Sequence, residues 1–142
     1  MLKRSVGLAI ALTLALSASA FAAAKTGSYS GASSNKEIYL YGDIEPRTDK
    51  GKLTFSVKAS PSRVVKFKVT DQQFMSGSGP QVVPVTVSKM KLNSSGRGKG
   101  SYTNPNVGAF EVKITVRDNG NASGTITPTG LCRGKVTFSA KL

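Results

Sequence analysis

Histidine is absent from this chain, and most proton-shuttling chemistry goes with it. Ser-His-Asp and Cys-His mechanisms each need an imidazole that takes and returns a proton near neutral pH. The usual zinc and copper sites go too, because one cysteine without histidine cannot complete the nitrogen and sulfur sphere that structural zinc requires. Tryptophan is also missing, which removes the commonest platform for stacking sugars, although four tyrosines remain. Acidic residues are scarce: 7 Asp and Glu stand against 20 Lys and Arg, a net charge of +13. No segment sustains helical periodicity, and no repeat at a fixed period is visible.

What is present begins with an export signal. Lys3 and Arg4 form a positive start, and Val6 to Leu16 is an apolar run of eleven residues. Ser17 to Ala24 then holds Ala20-Phe21-Ala22 and Ala22-Ala23-Ala24, both acceptable to a signal peptidase. The run falls short of the roughly 20 apolar residues of a membrane span. A signal peptide over residues 1–24, cut within Ala20 to Lys25, is therefore expected in preference to an uncleaved anchor. No later segment is apolar enough to cross a bilayer, and Cys132 lies too far along to be the acylated cysteine of a lipoprotein.

Residues 25–142 are expected to form one domain, secreted to the exterior or held at the cell envelope. A chain of that length buries roughly 65% of its unfolded surface and needs no metal or disulfide staple. It carries 18 Lys and Arg against 7 Asp and Glu, a charge of +11 that attracts polyanions.

Period-2 alternation dominates this domain. Leu53, Phe55 and Val57 share one face, and Val65, Phe67 and Val69 share another, with Lys66 and Lys68 opposite. Ala59-Ser60-Pro61-Ser62 between them reads as a turn. Phe110, Val112, Ile114 and Val116 alternate with Glu111, Lys113, Thr115 and Arg117. Asn119-Gly120 then predicts a two-residue hairpin turn, with Thr125-Ile126-Thr127 returning. The chain ends on Val136, Phe138, Ala140 and Leu142, and near its start Ile38, Leu40 and Ile44 share a phase. Val83, Val85 and Val87 are out of phase with Met90 and Leu92, which predicts a β-bulge near Ser88-Lys89. Ser76 to Pro80 and Asn93 to Gly100 read as exposed loops. Seven to nine such strands predict an all-β fold: an immunoglobulin-like antiparallel β-sandwich, with a small β-barrel as the alternative.

Candidate sites are few. Asp43 and Glu45, two apart with Asp49 close behind, would project from one strand face, where carboxylates serve hydrolysis or calcium. An acidic strand end beside Pro46-Arg47 is the plainer account. Asp118 to Asn121 lacks the ligand spacing and closing glutamate of a calcium loop, and reads as a turn. Ser94 to Tyr102, SSGRGKGSY, fails the phosphate-loop pattern because Gly100 follows Lys99 and no helix follows. Arg97 and Lys99 there would still grip an anion loosely.

The outward cations, Lys52, Lys58, Lys66, Lys68, Lys113, Arg117, Lys135 and Lys141, are the more informative set. Gathered on one sheet face they would make a basic patch for anionic polymer or lipid; scattered, they keep sheet edges unsociable. Nucleic acid is disfavoured because no aromatic-and-basic recognition motif accompanies the charge. Asn93-Ser94-Ser95 and Asn121-Ala122-Ser123 match glycosylation sequons, relevant only in a eukaryotic secretory pathway.

Cys132 has three readings: a packed apolar side chain, a half-exposed thiol, or one half of an intermolecular bridge that makes a dimer. Packing is favoured, since unpaired cysteines are among the most buried residues.

The opening Gly27-Ser28-Tyr29-Ser30-Gly31 and the closing Gly124-Thr125, then Cys132-Arg133-Gly134-Lys135-Val136-Thr137-Phe138-Ser139-Ala140, resemble a group of small exported bacterial β-domains without established activity. The resemblance spans most of residues 25–142. It implies a second cysteine after the central hairpin strand; Val69-Thr70-Asp71-Gln72-Gln73 holds none, so Cys132 would be the orphan of that bridge. It supplies no catalytic residues.

The expected function is therefore non-enzymatic. An exported β-domain would bind an anionic envelope component or polysaccharide through Lys52, Lys66, Lys68, Arg97, Lys99, Lys113, Arg117 and Lys135, with no metal or cofactor. A structural or assembly protein of the cell surface is the alternative, and a hydrolase using Asp43 and Glu45 stands third.

Overall fold

The computed structural model describes residues 23–36 and 50–142. Residues 1–22 of the expected signal segment, Asp43, Glu45, Asp49 and the alternating stretch 38–44 lie outside the described residues. Ten strands form among those described: β1 (Gly27–Ser34), β2 (Lys50–Lys58), β3 (Arg63–Thr70), β4 (Gln73–Ser76), β5 (Gly79–Val82), β6 (Val85–Lys91), β7 (Arg97–Asn104), β8 (Gly108–Val116), β9 (Asn121–Pro128) and β10 (Val136–Lys141). Eight of them make one antiparallel sheet in the order β6-β3-β2-β1-β10-β9-β8-β7.

The all-β expectation holds. Of its two architectures the sheet takes the barrel, because it curls until its end strands β6 and β7 meet. No ladder joins those two strands, so the barrel is nearly rather than fully closed, and β7 lies against β6 along the seam. Gly98 and Gly100 on β7 make that closure fit. A Cβ at Gly100 would lie 2.7 Å from Val87 Cγ1 and 2.8 Å from Met90 Cγ, and one at Gly98 would lie 2.6 Å from the Lys91 carbonyl oxygen. β6 occupies the space that side chains there would fill. The segment expected as a loop over Asn93 to Gly100 is thus a turn followed by a strand. Its inward positions carry glycine, so no hydrophobic alternation marks it.

Inward residues fill the barrel. Tyr29, Phe67, Phe110, Leu53 and Ile126 are all 2% exposed or less. Tyr29 stacks on Phe55 at 4.9 Å, Phe55 on Phe67 at 6.0 Å, and Phe67 meets Phe138 at 5.4 Å. Phe74 and Tyr102 flank Phe110 at the other end. Apolar side chains point in and charged ones point out, the reverse of a lipid-facing barrel. No helix among the described residues is long and apolar enough to cross a membrane.

Two expectations about phase are corrected. In β3 the buried set is Val64, Phe67 and Val69, while Val65 is half-buried. The β2–β3 register slips by one residue between Thr54 and Ser56, and Lys66 takes a φ of +54°. β3 therefore carries a bulge that flips its phase. The offset expected at Ser88-Lys89 exists, with Val87 and Met90 both buried, but β6 follows β3 through it in unbroken register. At the other hairpin Gly120 alone adopts positive φ, at +83°, and Arg117 N–H donates to the Asn121 carbonyl at 2.9 Å. That is a longer turn than the two-residue one expected.

β4 and β5 form a separate hairpin that covers one barrel end. Met75 and Arg133 exchange backbone hydrogen bonds of 3.3 and 2.6 Å, which fasten the hairpin to the β9–β10 connection. Beneath it lies a buried polar cluster. Ser33 Oγ donates to Gln72 Oε1 at 2.6 Å, and Gln72 Nε2 and Asn35 Nδ2 both donate to the Gln73 carbonyl. Among the described residues no buried side-chain nitrogen or oxygen lacks a partner. Ser76 to Pro80, expected as a loop, is the hairpin's tip.

Candidate functional site

The sheet's outer face between β6 and β9 forms a groove of about 700 Å³. Antiparallel register decides which side chains line it. Lys99 pairs with Lys113 and Arg97 with Thr115 across β7 and β8; Lys113 pairs with Thr125 and Thr115 with Ser123 across β8 and β9. Lys91 joins from the end of β6. Four cations and three hydroxyls thus converge on this part of the outer face.

The electrostatics are one-sided. Glu111 is the acidic neighbour, 3.6 Å from Lys113 Nζ, and both side chains are well exposed. A pair that exposed is worth little in water. Lys99 and Lys113 stand directly opposite one another on adjacent strands, where like charges destabilise a sheet. Among the described residues no ion pair engages Lys91, Arg97 or Lys99 and none of their side chains makes a hydrogen bond, although the Arg97 backbone N–H donates to Asn93 Oδ1 at 2.9 Å. Asp71 and Asp118, the remaining described acids, lie in bends or turns and neither lines this groove.

Two smaller grooves continue it around the barrel. One of about 490 Å³ is lined by Arg117, Lys141, Ser123, Ser139 and Ala32, and a third of about 310 Å³ by Lys50, Ser34, Thr137, Ser139 and Ala32. Ser123 is common to the first and second, and Ala32 and Ser139 to the second and third.

Of the eight cations read from the sequence, Arg97, Lys99 and Lys113 share the first groove and Arg117 lines the second. Lys52 and Lys68 project from β2 and β3 farther around, Lys66 sits on the bulge, and Lys135 precedes β10. Those four line none of the three grooves. Lys91 escaped notice because it falls in the irregular stretch after the phase change. Thr115, Ser123 and Thr125 also escaped, although their alternation with Ile114, Val116 and Ile126 marks them as outward.

Cys132 is buried, at 3% exposure, beside the β4–β5 hairpin. Burial pushes its thiol pKa up, so it is a poor thiolate and packs as an apolar side chain. The packed reading holds. No protein-family model matches the chain, and no curated protein or solved structure matches it.

Proposed function

We propose that this protein is an exported, non-enzymatic binding domain that holds an anionic polymer of the cell envelope or its surroundings in the groove of Lys91, Arg97, Lys99 and Lys113. The observation that carries this reading is the direct opposition of Lys99 and Lys113 with two further cations beside them. Such a cluster costs the free protein stability, and a bound anion relieves it. Thr115, Ser123 and Thr125 supply hydroxyls suited to sugar or acid oxygens.

Export belongs to the same reading. Lys25, just past the expected cleavage, is tied into the barrel: its N–H donates to the Arg117 carbonyl at 3.2 Å and its carbonyl accepts from Tyr29 Oη at 2.7 Å. The resemblance to exported bacterial β-domains belongs to this reading too, since it implies a second cysteine in the stretch Val69 to Gln73. The segment after Thr70 leads into β4, whose Met75 pairs with the residue following Cys132.

The test is retention on heparin and polygalacturonate columns under a salt gradient. Changing Lys91, Arg97, Lys99 and Lys113 to Gln should move elution to much lower salt. Changing Lys25, Lys58, Lys66 and Lys135 to Gln removes equal charge elsewhere and should move it far less. Exposed charges are screened within about 10 Å at 0.1 M salt, so retention that ignores salt, or none at low salt, overturns the proposal.

A further inference from the structure

The geometry points to a binding path rather than a patch: we propose that the three grooves form one track for a linear anionic polysaccharide, laid across the strands from β7 to β2. This rests on the anion-binding reading above and gives it a length, a direction and a polymer class.

Register alone draws the track. Lys99, Lys113, Thr125, Thr137, Ser34 and Lys50 are successive cross-strand partners on β7, β8, β9, β10, β1 and β2. One step along the strands, Arg97, Thr115, Ser123, Ser139, Ala32 and Lys52 form a second unbroken row on the same six strands. Each row has a cation at both ends, and every side chain between Lys113 and the β2 lysine is a hydroxyl or alanine. Arg117 and Lys141 flank the middle. Five inter-strand steps of about 4.8 Å give a path of about 24 Å.

The occupant follows from chemistry. A flat bilayer touches a convex barrel face over a short arc, so it cannot engage Lys99 and Lys50 together, whereas a flexible chain follows the curve. Nucleic acid would want aromatic side chains on which to stack its bases, and no aromatic ring faces outward along either row. Short hydroxyls spaced regularly between cations suit a sugar polymer bearing carboxylate or sulfate, whose own hydroxyls pair with them.

The experiment titrates the protein with size-fractionated heparin oligosaccharides and, in a second arm, polygalacturonate oligomers. Affinity should climb with oligomer length and level off near 24 Å. Ser139→Glu puts a carboxylate at mid-track on an exposed strand position. It should weaken oligomers spanning the track about fivefold more than Thr103→Glu does, since Thr103 lies off the track with the same charge change. Lys50→Gln with Lys52→Gln removes the far end and should shorten the length at which affinity levels off. Circular dichroism confirms that each variant folds. If affinity levels off at oligomers covering the first groove alone, or Ser139→Glu matches Thr103→Glu, the track is overturned while the anion-binding groove stands. Preference for phosphatidylglycerol vesicles over every oligosaccharide also overturns it. Absence of binding to any polyanion at low salt overturns both.

Discussion

Replacing Gly100 with alanine tests how this barrel closes. Gly100 lies in a strand interior, where glycine is ordinarily about 0.5–1 kcal/mol worse than alanine, so local propensity alone predicts a more stable protein. The structure predicts the opposite sign. The new methyl would sit 2.7 Å from Val87 Cγ1, 2.8 Å from Met90 Cγ and 3.2 Å from Met90 Sδ, and both residues are buried. Carbon atoms pack best at about 3.5–4.0 Å, so β6 must withdraw by about 1 Å from a seam that no ladder holds. Overpacking of this kind costs about 1–3 kcal/mol, and with the propensity gain set against it the mid-range expectation is a net loss of about 1 kcal/mol. Urea unfolding reads it as a lower midpoint. Gly77→Ala is the control, because nothing lies within 4 Å of its Cβ, and it should be neutral or slightly stabilising. Combining Gly100→Ala with Val87→Ala should cost less than the two separately, with a coupling of about 1 kcal/mol. A Gly100→Ala protein as stable as the parent, or without that coupling, would refute the packed seam.

Cys132 should react with a thiol reagent only after denaturant is added, since it is 3% exposed and its thiol pKa is raised by burial. Rapid reaction in the native state would contradict the packing. Stability should also fall in alkali. Cys132 and Tyr29 are both neutral when protonated, and burial raises both pKa values above the ordinary 9.0 and 10.0. The folded state therefore keeps protons that the unfolded state loses, so stability is full below about pH 9 and declines as pH rises further. Tyr29→Phe should remove part of that decline and, with the bond to the Lys25 carbonyl lost, cost about 1 kcal/mol at neutral pH. Ser33→Ala should cost about 1–2 kcal/mol in thermal or chemical unfolding, because it removes the hydroxyl that donates to buried Gln72.

The strands with strict alternation were legible in advance. Leu53, Phe55 and Val57, the run from Phe110 to Val116, and Val136, Phe138 and Ala140 all turn inward as their spacing requires. Alternation fails where a position's neighbour is another part of the chain. β7 reads as a loop because Gly98 and Gly100 leave room for β6, a contact that no local pattern encodes. Val64 replaces Val65 in the core because β3 holds one residue more than β2 opposite it. The turns at Asn119-Gly120 and at Ser76 to Gly79 were visible as turns, but their lengths follow from hydrogen bonds made after the strands pair.

The site divides in the same way. Composition settled that the domain is basic, that imidazole chemistry is out of reach, and that lysines alternate outward from an apolar interior, since each of these depends on residue identity and a period of two. Tertiary structure alone decided which outward residues meet. Lys99 faces Lys113 and Thr125 meets Thr137 through pairings of consecutive strands, but Ser34 meets both Thr137 and Lys50 only because β1 inserts between β2 and β10. Strand order is a long-range property: it is fixed by how a whole sheet buries its inner face, and no stretch of sequence carries it alone.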